Sequence, residues 1–381
     1  MPIGHDEEFL MRTLIASVLL IMALLAGCTS TPRTTVAAPA SRIYHGTASV
    51  GDFMTITVNS TVQTIAYTDI SNGASGTVPY TVNSDGTYTL NDPTGNLIGA
   101  YEVPNYAVLI QAAKTGPNAN TPALVTAVES GQISLATFEG QAYNFMQFRT
   151  AAGGLNVGSV NVGTDGTGST STFSPYQSYN SGNQGGSPFN VGTLEMATAQ
   201  LDPSGTFLKI LDPDGTNYDY VFGTANGVFA VDTQNGAILG LKKAASKSFD
   251  PTTAGTYKAL YYQKTNATTG AGNVETGNAS MGNAMLVVTA GGQLTITDSS
   301  GNQMAQSMLT PVADVSYLYG TSNELTDPCY GLFTFRITTA SAQQDVFVTF
   351  MGQAMLFSSF TANLPWNSAG TYNYFYGVGL K

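Results

Sequence analysis

Histidine, cysteine, tryptophan and charge are all scarce in this chain. Its 381 residues hold two histidines, two cysteines and one tryptophan. His5 precedes the first apolar run, so a folded domain is left with His45. A Ser-His-Asp or Cys-His arrangement would have to use that residue. Zinc and other imidazole-preferring metals lose their usual ligand. No G-x-S-x-G, H-E-x-x-H, P-loop or C-x-x-C pattern occurs. Charged residues make up 10% of the chain, against about 25% in typical soluble domains. No sustained helical period follows residue 42, so a mainly helical fold is excluded.

What is present first is an apolar run, Leu14 to Cys28, LIASVLLIMALLAGC, behind Arg12. One positive charge, an apolar stretch and then small residues form a secretory signal. The stretch is too short to span a bilayer, which takes about 20 residues. Asp6, Glu7 and Glu8 place negative charge where a positive n-region belongs, so translation is expected to start at Met11. Leu25-Ala26-Gly27-Cys28 resembles the lipobox of bacterial lipoproteins. That resemblance implies cleavage before Cys28, a lipid thioether on its sulfur and an acylated amine, palmitate included. Thr29 in place of aspartate implies, by the same resemblance, the outer membrane of a Gram-negative cell. In a Gram-positive host it would imply the outer face of the single membrane. One lipid chain binds a membrane only marginally, so several are needed for a stable anchor. Residues 28–42, rich in small polar residues with Pro32 and Pro39, are expected to be a flexible tether.

Residues 28–381 carry 21 acidic and 12 basic groups, a net charge of −9. This disfavours nucleic acid and anionic headgroups as partners. With Cys28 lipidated, Cys329 has no disulfide partner, and in Asp327-Pro328-Cys329-Tyr330 it is expected to be a sheltered small side chain.

Short Val/Ile/Thr/Tyr/Phe runs alternate with Gly/Asn/Asp/Pro clusters, the pattern of strands and turns. Thr77 to Leu90 predicts a hairpin around Asn83-Ser84-Asp85-Gly86. Similar hairpins recur, with the triplets Gly86/Asp92/Gly95, Gly205/Asp212/Gly215 and Gly292/Asp298/Gly301. Tyr143, Gly158, Val160 and Gly163 match Tyr257, Gly272, Val274 and Gly277 without gaps, and AGTYKALYY (254–262) echoes AGTYNYFY (369–376). These repeats predict an all-β chain of antiparallel meanders in sandwich- or barrel-like units. The expected blocks are 43–137, 138–253 and 254–381. Residues 163–190 are low in complexity and are expected to form a loop in the second block. Short helices are expected around Thr121–Ser130 and Gly240–Ser246.

Candidate sites are few. Asp212, Asp214 and Asp219 cluster in DPDGTNYD and partly resemble calcium loops, although Pro213 constrains the loop and Gly223 stands where an EF-hand carries glutamate. The competing expectation is a plain hairpin turn, with no cofactor at all. Tyr257 and Tyr261, and Tyr372 and Tyr374, alternate as on one strand face and could stack on sugar rings. Otherwise they pack across strands. Glu102, Glu129, Glu139, Glu195, Glu275 and Glu324 supply carboxylates, with an ordinary surface position expected for each. Trp366 is expected to cap a core. Together these features favour a lipid-anchored envelope protein that binds a glycan or protein, or serves as a structural surface module. An envelope polysaccharide hydrolase is the alternative, resting on carboxylates and tyrosines. An integral membrane barrel is disfavoured, because a lipid anchor would be redundant.

Overall fold

A computed structural model describes residues 40–112, 122–149, 155–162, 172–180, 194–195, 200–211, 218–225, 227–233, 236–269, 275–312, 329–338, 343–361 and 372–381. Cys28, Asp212, Asp214 and Trp366 lie outside these residues. The described chain is almost entirely antiparallel strand, in three successive sheets.

The first sheet is a closed barrel of eight strands in chain order. These are β1 (Ser41–Ala48), β2 (Phe53–Asn59), β3 (Thr64–Asp69), β4 (Ser75–Val82), β5 (Thr87–Leu90), β6 (Leu97–Val103), β7 (Ala107–Ala112) and β8 (Ala123–Glu129). Pairing of β1 with β8, Gly46 opposite Ala127, closes it. β1 begins at Ser41, inside the expected tether.

The second sheet holds β9 (Ala142–Arg149), β10 (Leu155–Val162), β11 (Thr172–Asn180), β12 (Leu194–Glu195), β13 (Gln200–Leu201), β14 (Leu208–Leu211), β15 (Tyr218–Thr224), β16 (Val228–Thr233) and β17 (Gly236–Lys242). The third holds β18 (Gly255–Thr269), β19 (Glu275–Val288), β20 (Gln293–Asp298), β21 (Gln303–Met308), β22 (Thr310–Pro311), β23 (Leu332–Thr338), β24 (Gln343–Met351), β25 (Ala354–Thr361) and β26 (Tyr372–Leu380). In each, the first strand pairs with the last, β9 with β17 and β18 with β26. Only Leu309 separates β21 from β22, which pair with β20 and β23 respectively. Counting β21 and β22 as one bent strand, and β12 and β13 as one position, gives all three sheets the same eight-position meander.

Neither expected helix forms. Ala123–Glu129 is β8, because Leu-Val-Thr-Ala-Val has both faces buried, and Gly240–Ser246 is the end of β17 followed by irregular chain from residue 243. A two-sided apolar strand loses its period-two signature and reads like a buried helix. Within the expected loop 163–190, Thr172–Asn180 is β11, held by pairing such as Val157 opposite Tyr179. The helical pieces are instead α1 (Leu135–Phe138), ahead of β9, and a 3-10 turn at Pro251–Thr253, ahead of β18.

Four apolar cores explain the burial. Three fill the interiors of the closed first barrel and of the barrel-like second and third sheets. Tyr44, Ile56 and Ile110 lie in the first. Phe138, Tyr143 and Phe229 lie in the second, and Tyr257, Leu286 and Phe357 in the third. An eight-stranded barrel is just narrow enough for side chains to fill. The fourth core lies outside the barrels and is shared. It gathers Phe53 and Leu109 from the first sheet, Phe148 and Phe222 from the second, and Tyr376 and Leu356 from the third. In β16, Phe229 and Val231 point inward while Val228 and Ala230 join the shared core. Each large apolar side chain so buried contributes roughly 1.5–3 kcal/mol. Residues 40–381 accordingly form one compact unit.

The repeated triplets separate into two kinds. Gly86 and Asp92 flank the fifth strand position of the first sheet, and Gly205 precedes the fifth position of the second. Gly292 and Asp298 flank the third position of the third sheet. The third hairpin therefore shares turn chemistry without sharing a place in the meander. The Asp92 carboxylate accepts from the backbone of Thr94, Asn96 and Leu97, and Asp298 accepts from Ser300 and Asn302, each at 2.8–3.0 Å. Asp and Gly recur because this turn selects them.

The gapless alignment of Tyr143–Gly163 on Tyr257–Gly277 fails after its first residue. Tyr143 faces Val160, but Tyr257 faces Leu286, because β18 and β19 form a longer hairpin. The two echoing aromatic strands, β18 and β26, are direct neighbours, with Tyr262 opposite Tyr376.

Candidate functional site

Polar side chains gather at three places among the described residues, buried at the first two and partly exposed at the third. The first is inside the first barrel. Arg42 on β1 and Glu102 on β6 point inward with the apolar residues of alternate positions, and are 6% and 5% exposed. Arg42 donates from Nε and from one terminal nitrogen to the two Glu102 oxygens, both at 2.7 Å. Tyr44 donates to the same carboxylate at 2.6 Å and Tyr88 at 2.7 Å. Tyr80 stacks on Tyr88 with centroids 4.3 Å apart. The bonds to Glu102 push the Arg42 guanidinium above its usual range, while burial, with Glu102 adding to it, pushes the Tyr44 and Tyr88 hydroxyls up. Glu102 is thus not the surface glutamate that was expected. With four donors on one carboxylate the network closes on itself and is a structural plug. The available signal was parity: Glu102 shares its strand face with Ala100.

The second place is the seam between the first and second barrels. Its outward β1 residues, His45 and Thr47, are buried against the second sheet. Thr47 donates to Asp232 on β16. Asp232 is 2% exposed, and burial, reinforced by the charges of Asp52, Asp219 and Asp69, raises its carboxyl well above the usual carboxylate range. Asn72 bridges Asp52 at 2.6 Å and Asp69 at 3.0 Å. His45 lies between Phe53 and Phe207, with ring centroids at 5.7 and 5.4 Å, and its Nε2 is 2.7 Å from Thr206 Oγ1. Burial lowers its imidazole to about 4. It is a packing residue of the seam. Of the proposed calcium ligands the structure describes Asp219 alone, buried in β15 beside this seam. Among the described residues no group of three His, Cys, Asp or Glu is placed to hold a metal ion.

The third place is a cavity of about 330 Å³ between the second and third sheets. Lys242, Lys243, Ser248 and Thr252 are among its lining residues, with Phe333 and Phe350, two rings that belong to the third interior core. The two lysines sit where β17 ends and the chain crosses to the third barrel. Their backbones are pinned, Lys242 N to Gly227 O and Lys243 N to Ala142 O, both at 2.8 Å. Ala244 N reaches Tyr330 O at 3.1 Å and ties the crossing to the third sheet. Gly331 permits the close approach: its φ is +86°, and a Cβ there would lie 2.9 Å from Ala244 Cβ.

The two candidate tyrosine pairs lie on different faces of the third sheet. Tyr257 is 0% exposed inside the third barrel, with half-buried Tyr261 on the same face. Tyr374, 3% exposed, faces the shared core with Tyr262 and Tyr376, against Phe148. The side chain of Tyr372 is outside the described set. Tyr257 and Tyr374 are packing residues, because both faces of this sheet are covered. Cys329 is also buried, in the shared core, and burial pushes its thiol up.

No protein-family model and no curated protein matches the chain. Among solved structures it is similar to a double mutant of the vaccine antigen transferrin binding protein B from Haemophilus parasuis Hp5. That match has 6% identity and a TM-score of 0.24, over 90% of this chain and 77% of the other. Intact Ap-TbpB, with N and C lobes, is similar at 8% identity and a TM-score of 0.20, over 87% of this chain and 67% of the other. At these scores neither likeness carries an argument about function.

Proposed function

We propose that this chain is an exported, lipid-anchored protein of the bacterial cell envelope, whose joined barrels form a binding or structural module at the surface. The anchor reading rests on the apolar leader and Leu25-Ala26-Gly27-Cys28. The module reading rests on one observation: the buried acid and base groups of the first barrel and its seam are engaged in packing, while exposed Lys242, Ser248 and Thr252 line a cavity where the chain crosses from the second sheet to the third. A scaffold braced by three interior cores and one shared core presents such a surface in a fixed geometry.

Metabolic labelling with a palmitate analogue tests the anchor. The chain is expected to be labelled and to sediment with membranes, and Cys28→Ser to be unlabelled and released. Equal membrane retention of the two forms would sink it. Protease shaving of intact cells tests the face: released peptides from residues 40–381 place the module outside, and their protection places it in the periplasm.

A further inference from the structure

We propose that Asn72 is a deamidation site held closed by the fold, and that its conversion to a carboxylate irreversibly marks a molecule in which the turn between β3 and β4 has opened. The inference goes beyond the module reading and does not depend on it.

Reactivity is the first argument. Asparagine precedes glycine at Asn72, Asn226 and Asn235, and Asn72 is the one among the described residues. Glycine carries no Cβ to hinder close approach to its backbone nitrogen. In a free Asn-Gly segment that nitrogen attacks the asparagine Cγ. The new C–N bond closes a succinimide ring, and the amide nitrogen leaves as ammonia with the glycine N–H proton. Water then opens the ring at either carbonyl and leaves aspartate or isoaspartate. Water is the only co-reactant.

Geometry is the second argument. Asn72 is exposed, but the carboxylates that hold its amide are buried, Asp52 and Asp69 each 4% exposed. Its Nδ2 donates to Asp52 at 2.6 Å and to Asp69 at 3.0 Å. The Gly73 nitrogen, which would attack, donates to Asp69 O at 2.8 Å. The turn itself is tied to β2, with Ile70 N on Phe53 O at 2.7 Å and Phe53 N on Ser71 Oγ at 3.0 Å. Phe53 in turn stacks on Tyr220 of the second sheet, centroids 4.7 Å apart. Bringing the amide carbon onto the nitrogen gives up two charge-assisted hydrogen bonds and one backbone bond. Attack therefore waits on local opening at the seam.

The consequence is the third argument. An amide nitrogen donates twice, and a carboxylate donates not at all. Deamidation replaces both donors with a further negative charge against Asp52 and Asp69. Those two and Asp219 already bear on the Asp232 carboxyl across the seam. The added charge opposes reclosing, so the mark weakens the turn whose opening it records.

The test incubates the full-length chain in detergent micelles at mildly alkaline pH, folded and in concentrated urea. Mass spectrometry of the peptide that contains Asn72 follows its deamidation, and enzymatic methyl transfer counts isoaspartate. A free Ser-Asn-Gly-Ala peptide in both solutions corrects for urea itself. Asn72 is expected to deamidate about tenfold more slowly, or slower still, in the folded chain. Asn72→Asp supplies the product directly and should unfold at lower urea than Asn72→Ala, which loses the same donors without gaining charge. Equal corrected rates in the folded and unfolded chains, no deamidation of Asn72 in urea, or Asn72→Asp unfolding no earlier than Asn72→Ala would each overturn the proposal. The rate comparison uses the parent chain alone, so it decides the matter even where a variant fails to fold.

Discussion

Glu102 and Asp232 are both buried carboxyl groups on barrel strands, and their surroundings treat them in opposite ways. Glu102 receives a bidentate guanidinium and two tyrosine hydroxyls inside one barrel. Asp232 receives one threonine hydroxyl and faces three further aspartates across a seam between barrels. The first is a charge with its counter-charge built in. The second is an acid whose neutral form the fold favours. Burial alone does not fix the state of an acid; the donors and charges around it do.

The largest effect that would sharpen this contrast is expected from Glu102→Ala. It leaves Arg42 buried without its partner and should cost about 3–5 kcal/mol in chemical denaturation. A loss under 1 kcal/mol would mean that water reaches Arg42, and the comparison would fail.

The seam should answer to acid through His45. Its folded value is depressed, to about 4, from an unfolded value near 6.5. Its contribution is therefore complete above pH 6.5 and lost as pH falls through 4, roughly 3 kcal/mol in all. His45→Gln should remove this part of the decline between pH 7 and pH 4, read as a shallower fall in unfolding free energy. Identical profiles for parent and variant would show that the ring is not held neutral.

Tyr44→Phe deletes one charge-assisted hydrogen bond to Glu102 and should cost about 2 kcal/mol. Asp232→Asn should act in the other direction. A raised carboxyl stabilises the fold at low pH and loses that contribution as pH rises through its folded value. The amide does not ionise and can still accept from Thr47. Added stability at pH 7, with no change at pH 3, is the expected pattern. Destabilisation at pH 7 would show that Asp232 is held ionised, and would erase the difference from Glu102.

Much of the fold was legible because strands and turns leave local marks. The hairpin at Asn83–Gly86 is where alternation and turn chemistry place it, with Gly86 at φ +83°. Strand β8 was misread because both its faces are buried, and a two-sided apolar run has no period. Aspartate-glycine turns suggested duplication in all three blocks, but in the third block the hairpin lies elsewhere in the meander. The candidate sites were far less legible. Arg42 and Glu102 lie 60 residues apart, and His45 and Thr206 161 apart, so neither meeting leaves a local pattern. Lys242 and Lys243 are adjacent in the chain, but Phe333 and Phe350, which line the same cavity, come from about 90 and 107 residues further on.

The sequence by itself determined the strand-rich class and the turns, because alternation, β-branching and the Asp-x-x-Gly geometry act over a few residues. It also carries the leader and the Leu-Ala-Gly-Cys signal, which need no fold to be read. Tertiary structure alone decided that each meander returns its first strand to its last. It decided too that barrel exteriors become a common core, and that tyrosines on one sheet split between two buried faces. Those outcomes depend on which distant surfaces cover one another, and a period-two pattern states only that a face is covered, not by what.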